Sequence, residues 1–167
     1  MVVISPFVLC AEKGAIQTSG DVLFIALPTA ATTGSLLDGK KQTRQFMFQH
    51  LTVAAITLGF KGVVDRERPD GSNHHSFPSG HTSTTFSSAS FIAHQYGWRA
   101  GVPAYLLASW TGYSRVYARK HHWSDVIAGA GIGLLTHDAF FHRTNVGNIT
   151  PFIGPDHTGF KWRYDWR

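Results

Sequence analysis

The sequence predicts an all-α protein, a helical bundle of about five to six helices followed by a short C-terminal β-strand or an extended arm. Two observations lead to this prediction. Apolar residues recur at helical spacing in several segments, which are separated by polar connections rich in glycine, proline and charge. Residues 159–167 instead alternate between large apolar and polar side chains, which is typical of a strand. A chain of 167 residues is long enough for one domain with a sizeable core.

The expected helices follow one another along the chain. The first has Pro28 in its interior, so it is predicted as one kinked helix or as two short helices. The last contains Gly129, Gly131 and Gly133, which lower helix propensity but allow another helix to approach closely. A charged, turn-rich loop at 65–75 joins the second helix to the third. The predicted helices cover residues 21–37, 45–64, 82–98, 102–116 and 124–135.

Both ends of the chain differ from its helical middle. The first ten residues are apolar, so they are interpreted either as the remnant of a secretory signal or as part of the mature chain. In the tail, every second residue from 160 to 166 is aromatic, and these side chains would share one face of a strand. Packing of that face on the protein's own body is favoured over contact with a membrane, a barrel or another subunit.

No segment is expected to span a membrane. Crossing the hydrocarbon requires roughly 20 apolar residues. The longest charge-free apolar windows, 22–37 and 100–114, are shorter and contain proline and hydroxyl residues. They are interpreted as buried helices of a soluble or surface-associated bundle, and a membrane bundle of short helices stays open as the alternative.

The charge balance favours anionic partners. Fifteen basic and ten acidic residues give a net charge of +5, which suits phosphates, acidic lipid headgroups or nucleic acid. The single cysteine, Cys10, excludes an intrachain disulfide and gives no support to a cysteine-based zinc site. Ten histidines is a high number for this length, so no single histidine is informative without its neighbours.

Three short motifs in the middle of the chain supply what phosphoryl chemistry requires. Three cations, Lys61, Arg68 and Arg115, are enough to surround a phosphate dianion, and arginine can bind its oxygens with two N–H groups. Each motif alone has an ordinary structural explanation, but their joint occurrence in this order favours a functional site. The motifs are Lys61 with Arg68 and Pro69, then Pro-Ser-Gly-His at 78–81, then Ser114-Arg115 with His121 and Asp125.

The second and third motifs add an anion seat and two histidines. Ser79 and Gly80 fall where a helix is expected to begin, and a helix N-terminus presents unpaired N–H groups to an anion. His121 and Asp125 lie one helical turn apart, so the carboxylate can orient the ring and leave its other nitrogen to attack phosphorus. His81 would then protonate the leaving alkoxide.

The motifs Lys-x6-Arg-Pro, Pro-Ser-Gly-His and Ser-Arg-x5-His-x3-Asp together resemble those of the type 2 phosphatidic acid phosphatase (PAP2) superfamily, which includes bacterial acid phosphatases and vanadium haloperoxidases. The resemblance implies a helical domain at 20–140, between an N-terminal segment (1–19) and a C-terminal extension (141–167). It implies His121 as nucleophile, Asp125 as its orienting carboxylate and His81 as acid and base. The implied phosphate-binding residues are Lys61, Arg68, Ser79, Gly80, Arg115 and, as a weaker member, Ser114. His122 could share a face with Asp125, and the family's spacing favours His121.

By this resemblance the chain is expected to be a metal-independent phosphomonoesterase acting through a phosphohistidine, on a lipid phosphate or a small phosphorylated molecule. No cofactor is required, and phosphate or vanadate would occupy the site. The polar loop and helices resemble those of exported phosphatases, so the bacterial periplasm or cell envelope is expected, with contact at a membrane surface. Nucleic acid is not expected as a partner, and the oligomeric state stays open.

Three alternatives compete with this hypothesis. A haloperoxidase would hold vanadate in the same seat, although the chain is short for one. A non-catalytic anion-binding module would explain the charge, but not the two histidines in register with the cations. A zinc site at His121, His122, His137 and His142 is the weakest, because no pair has the spacing of a metalloprotease helix.

Overall fold

In this computed structural model the described parts of the chain are residues 6–141, 149–153 and 158–162, with side chains described for 14–141. The prediction of an all-α bundle is confirmed, with five helices in the described residues. Two short strands, β1 and β2, pair antiparallel, with Ile149 opposite Trp162. The elements are α1 (Pro6–Asp38), α2 (Lys40–Val63), α3 (Gly80–Tyr96), α4 (Trp98–Tyr117), α5 (Trp123–Phe141), β1 (Ile149–Ile153) and β2 (Thr158–Trp162).

Four of these five helices are longer than the sequence pattern indicated, most of all α1, whereas α3 has the predicted length and begins two residues earlier. It is one helix that passes through Pro28 and already includes residues 6–19, which the sequence had suggested as a separate segment. Thr32, one turn after Pro28, donates a hydrogen bond from its Oγ1 to the Pro28 carbonyl at 2.7 Å. Strand β2 includes Phe160 and Trp162 of the alternating tail, while Tyr164 and Trp166 lie outside the described residues.

α3 is the central helix, because it contacts all four of the others. Its buried residues are mostly serine, threonine and alanine. A Cβ added at Gly129 or Gly133 of α5 would lie only 2.5 or 2.6 Å from a carbonyl oxygen of α3, so glycine is what allows these two backbones to touch. Gly131 meets nothing within 4 Å, so the predicted close packing holds for two of the three glycines.

Hydrogen bonds between side chains join α2 to α3. Gln49, fully buried, donates to the hydroxyl of Ser87 at 2.6 Å and to its carbonyl at 3.1 Å. Nearer the other end, the hydroxyls of Thr57 and Ser83 are 3.1 Å apart. Small residues and interhelical hydrogen bonds of this kind are the packing mode of helices in membranes.

The expectation that no segment could span a membrane is wrong. Two segments, Gly14–Asp38 and Lys40–Val63, are long and apolar enough to cross a bilayer by length and composition. They are not core helices, since only 22% of the most apolar window of each is buried. Hydroxyls misled the sequence interpretation: Thr29 and Thr33 donate to carbonyls one turn earlier in α1, so they add little polarity to its surface.

Candidate functional site

The three motifs meet at one end of the bundle. That end is formed by the last turn of α2, the first turns of α3 and α5, the last turn of α4, and two loops. The Ser79 amide donates to the carbonyl of Asp125 at 3.0 Å, which joins the start of α3 to the start of α5. Loop 64–79 lies against loop 118–122 through an ion pair of 2.6 Å between Asp70 and Lys120.

His121 is held by the main chain of Ser76. Its Nδ1 lies 2.6 Å from the Ser76 carbonyl oxygen, and its side chain is only 4% exposed. Because a carbonyl can only accept, the proton must be on Nδ1, which leaves the lone pair on Nε2. The ring therefore presents the nitrogen that a nucleophilic role requires.

Asp125 acts on His121 indirectly, through Ser76. Its Oδ2 is 3.7 Å from His121 Nδ1, which is too long for a hydrogen bond. The same oxygen accepts from the Ser76 hydroxyl at 2.5 Å and from the His122 amide at 2.9 Å. Oδ1 is 2.8 Å from Arg66 Nη1. The expected orienting carboxylate is thus in place, but it orients the loop carrying Ser76 rather than binding the ring directly.

The electrostatics of the site favour a neutral His121. Burial, followed by the positive charges of Arg68 and Lys61, lowers its pKa from 6.5 to about 4. The contact with Ser76 and the charge of Asp125 oppose this shift without cancelling it. At neutral pH the ring is therefore an unprotonated base beside two cations.

Two of the predicted phosphate ligands, Lys61 and Arg68, lie close enough to His121 to act on its charge. Lys61 Nζ donates to the His75 carbonyl at 2.6 Å, which directs the ammonium toward the loop. Arg68 Nε is buried and has no hydrogen-bond partner among the described residues. A buried guanidinium N–H without an acceptor is costly, and a bound anion would satisfy it.

The start of α3 has the form expected of an anion seat. Ser79 is the N-cap residue, but its side chain caps no amide and instead accepts from the Thr82 hydroxyl at 3.0 Å. The first amides of the helix therefore keep their N–H groups available. A Cβ at Gly80 would meet only Thr57 Cγ2, at an ordinary 3.7 Å, so packing within the protein does not require glycine there.

Arg115 and His81 meet through a residue that the motifs do not include. Asp21 of α1 places one oxygen, Oδ1, 2.6 Å from Arg115 Nη1 and 3.0 Å from His81 Nε2. Arg115 Nη2 also donates to the Gln17 carbonyl at 2.6 Å, so this predicted phosphate ligand is bound to α1. Ser114 donates to the Thr111 carbonyl at 2.7 Å and supports the Arg115 side chain at 3.3 Å.

Sequence reasoning missed Asp21, Ser76 and Arg66. Asp21 and Arg66 contact residues about 60 or more positions away, and a long-range contact has no local sequence pattern. Ser76 contributes its carbonyl, which every residue type has, so only its hydroxyl bond to Asp125 could have been suspected. Asp21 did carry one signal: it is the only charged residue among positions 14–37 of an apolar helix.

The adjacent histidines are distinguished by their surroundings. His121 is buried, whereas His122 Nε2 lies 3.2 Å from the Glu67 carbonyl near the surface. The zinc alternative has no geometric support, because no three or more His, Cys, Asp or Glu in the described residues are placed to hold a metal ion. His137 packs on Phe141 instead, and His142 lies outside those residues.

Sequence comparison finds the same family that the motifs suggested. The profile described as the PAP2 superfamily matches residues 37–146. The chain is 38% identical to the lipid A 1-phosphatase of Porphyromonas gingivalis over 101 residues, which are 59% of this chain and 21% of that protein. It is 26% identical to the lipid A 4'-phosphatase of Helicobacter pylori over 126 residues, covering 69% of this chain and 64% of that protein. The chain therefore spans less than two thirds of either relative.

Two solved structures share the fold. Aquifex aeolicus LpxE superposes with a TM-score of 0.69 at 19% identity, covering 84% of this chain and 88% of that one. The transmembrane PAP2-type phosphatidylglycerolphosphate phosphatase of Bacillus subtilis superposes with a TM-score of 0.64 at 21% identity, covering 85% and 79%. The profile match covers more than half of the chain and includes all three motifs, so we conclude that this protein belongs to the PAP2 superfamily.

Proposed function

We propose that this chain is a metal-independent phosphomonoesterase of lipid phosphates, which works through a phosphohistidine formed on His121. The observation that carries the proposal is the pairing of a buried, neutral His121, whose Nε2 holds the lone pair, with the unsatisfied Arg68 Nε. A phosphate dianion at this point would supply the missing acceptor and receive the nucleophile. The proposal is supported by the family of the chain and by the phosphatase names of its relatives.

The first half of the reaction transfers the phosphoryl group to the enzyme. Lys61, Arg68 and the amides at Gly80 bind the phosphate oxygens, which offsets the charge that would otherwise repel a nucleophile. His121 Nε2 attacks phosphorus while the bond to the ester oxygen breaks. Protonated His81 gives its proton to that oxygen, so the alcohol leaves neutral.

The second half restores the enzyme. His81 is now neutral and accepts a proton from a water molecule as that water attacks the phosphohistidine. The P–N bond breaks, inorganic phosphate leaves, and His121 returns to its neutral form. Every proton and electron pair is supplied by His81, His121, water or substrate, so the steps balance without a metal ion.

A lipid substrate fits the outer surface of the bundle. α1 and α2 are candidate membrane spans with mostly exposed apolar faces. A shallow apolar depression of about 370 Å³ on α2 is lined by Ile56, Gly59, Phe60 and Val63 and offers an acyl chain an apolar surface. The two relatives named lipid A phosphatases support the same class. We propose that the enzyme belongs to the bacterial periplasm or cell envelope and is associated with a membrane, with its site near the membrane surface.

The test is phosphate release by the full chain in detergent, with EDTA present, from a soluble aryl phosphate and from a lipid phosphate in micelles. We expect release from the lipid, inhibition by vanadate, and loss of at least about 10³-fold in His121→Ala. The matched control is His122→Ala, which removes the neighbouring ring and should keep most of the activity. Trapping of an acid-labile phosphoenzyme in wild type, but not in His121→Ala, would identify the intermediate.

Three results would contradict the proposal. Activity that depends on added metal would remove the metal-independent mechanism. Equal losses in the two histidine variants would remove His121 as the specific nucleophile. Anion binding with no turnover of any ester would favour a binding module on the same site.

A further inference from the structure

Asp21 is an acidic residue where the composition of its helix makes a charge costly. It is the only charged residue among positions 14–37, within a segment long and apolar enough to span a membrane. A carboxylate in such a segment is expensive and generally marks a function, with a partner that can be named. Here the partners are His81 on α3 and Arg115 on α4.

The contact between Asp21 and His81 determines how the ring can be used. A carboxylate at neutral pH only accepts, so the hydrogen bond of 3.0 Å requires the proton to be on His81 Nε2. In the neutral ring the lone pair is then on Nδ1. That is the nitrogen available to take a proton from water or, when protonated, to give one to a leaving oxygen. Phe24 stacks on the ring at 4.1 Å between centroids and limits its rotation.

We propose that Asp21 is the positioning residue of the general acid: it fixes the tautomer and orientation of His81 and favours the protonated ring that delivers the proton. This inference rests on the proposed function, because it concerns the proton that His81 delivers in the first half-reaction. Asp21 itself touches neither phosphorus nor the leaving group.

Charges around His81 explain why a carboxylate is needed. Burial lowers the pKa of this ring, and so do the positive charges of Arg115 on α4 and Arg68 in loop 64–79, so that the net shift is downward. Of the charged groups that act on His81 in the described part of the chain, Asp21 is the one that raises the pKa. Without it, an acid surrounded by cations would lose its proton at a lower pH.

Two substrates separate acid catalysis from other roles. An alkyl phosphate needs a proton on its leaving oxygen, whereas p-nitrophenolate leaves readily without one. In Asp21→Asn we expect kcat for the alkyl ester at pH 7.5 to fall by about 10²-fold, within the range of general acid catalysis. For p-nitrophenyl phosphate the loss should be about threefold or less, because that step draws little on the acid. The basic limb of the alkyl ester's pH profile should move to lower pH, and Asp21→Glu should restore part of it.

The matched control is Asp38→Asn. It removes a carboxylate from the same helix at the opposite end, where Asp38 accepts from the exposed Tyr96 hydroxyl at 2.7 Å. Both variants are compared by thermal unfolding in detergent before any rate is interpreted. If Asp21→Asn unfolds, Asp21→Glu and the leaving-group comparison in that variant carry the test.

Distinct outcomes overturn the inference. Equal losses on both esters at every pH, with a raised KM, would mean that Asp21 only holds Arg115. Tighter inhibition by inorganic phosphate in Asp21→Asn, with kcat unchanged, would mean that Asp21 competes with the phosphate. If wild type and Asp38→Asn release phosphate and Asp21→Asn matches them, this inference fails alone. If wild type shows no His121-dependent release, the proposed function has failed instead.

Discussion

The imidazole of His121 is anchored by the peptide carbonyl of Ser76, 2.6 Å from Nδ1, while the carboxylate of Asp125 stays 3.7 Å away. The carboxylate binds the Ser76 hydroxyl instead, at 2.5 Å. The nucleophile is therefore oriented by a loop, and the loop by a buried carboxylate that is also paired with Arg66. Histidine orientation by a main-chain acceptor is common where the other ring nitrogen has a chemical role.

Asp125 and Ser76 should differ sharply when replaced. Asp125→Ala leaves Arg66 and the Ser76 hydroxyl without their buried acceptor. We therefore expect the free energy of unfolding to fall by about 3 kcal/mol. We also expect kcat to fall by about 10²-fold. Ser76→Ala keeps the carbonyl that holds His121, so its kcat should fall by about tenfold or less. Phosphate release and thermal unfolding check both, and a larger loss in Ser76→Ala than in Asp125→Ala would contradict this order.

The acid limb of activity should lie well below the pKa of ordinary histidine. Burial and the charges of Arg68 and Lys61 lower the pKa of His121 to about 4, so the nucleophile stays unprotonated down to that pH. A profile of kcat/KM against pH reports the free enzyme, and its acid limb should fall near pH 4. Replacing Arg68 by Gln removes one of the two cations and should move this limb upward. A limb near pH 6.5 in wild type would show that His121 is not held in this environment.

Folding stability should also decrease in acid because of His121. Its folded-state pKa of about 4 lies below the unfolded value of 6.5, so the unfolded chain binds a proton first as the pH falls. The free energy of unfolding should decrease from about pH 6.5 and level off below about pH 4, by about 3 kcal/mol in total. His121→Gln should lack this component. Thermal unfolding in detergent at a series of pH values, compared between the two proteins, measures it.

The glycines of α5 offer a matched set of substitutions. A Cβ at Gly129 would lie 2.5 Å from the Ser79 carbonyl, and one at Gly133 would lie 2.6 Å from that of Ser83. Both clashes are with backbone, so each alanine would force α3 and α5 apart. The free energy of unfolding of each variant should fall by about 1–3 kcal/mol. Gly131→Ala meets nothing within 4 Å and should be neutral or slightly stabilising, because alanine favours the helix. Similar melting temperatures for all three variants would contradict the packing.

Gly80 should separate folding from phosphate binding. Its added Cβ meets only Thr57 at 3.7 Å, so Gly80→Ala should fold normally. The methyl group would project where the phosphate approaches the first turn of α3, so we expect weaker inhibition by inorganic phosphate and vanadate, by about tenfold. Gly131→Ala serves as the control for an alanine placed in a helix without a ligand. Unchanged inhibition constants in Gly80→Ala would show that the phosphate does not bind close to this backbone.

The sequence alone was enough to propose the candidate site residues that occur in motifs of fixed spacing. Lys61, Arg68, His81 and His121 stand in motifs. The charge of Arg68 acts on both histidines and that of Lys61 on His121, while their catalytic and binding roles stay predictions. The contribution of α1 could not be predicted, because Asp21 is recognised only by what lies beside it in space. The exposed apolar helices were misjudged for a local reason: a count of charges and hydroxyls does not show that Thr29 and Thr33 bond to their own helix.

The contact of α3 with α5 has a mechanical consequence. Where backbones touch without side chains between them, no rotamer change can absorb a displacement. The distance between the two helices is therefore fixed by backbone contact. Ser79 and Gly80 begin α3, and Asp125 lies in the first turn of α5. The separation between the anion seat and the groups behind His121 is thus set by direct backbone packing, which favours little reorganisation when the charge moves.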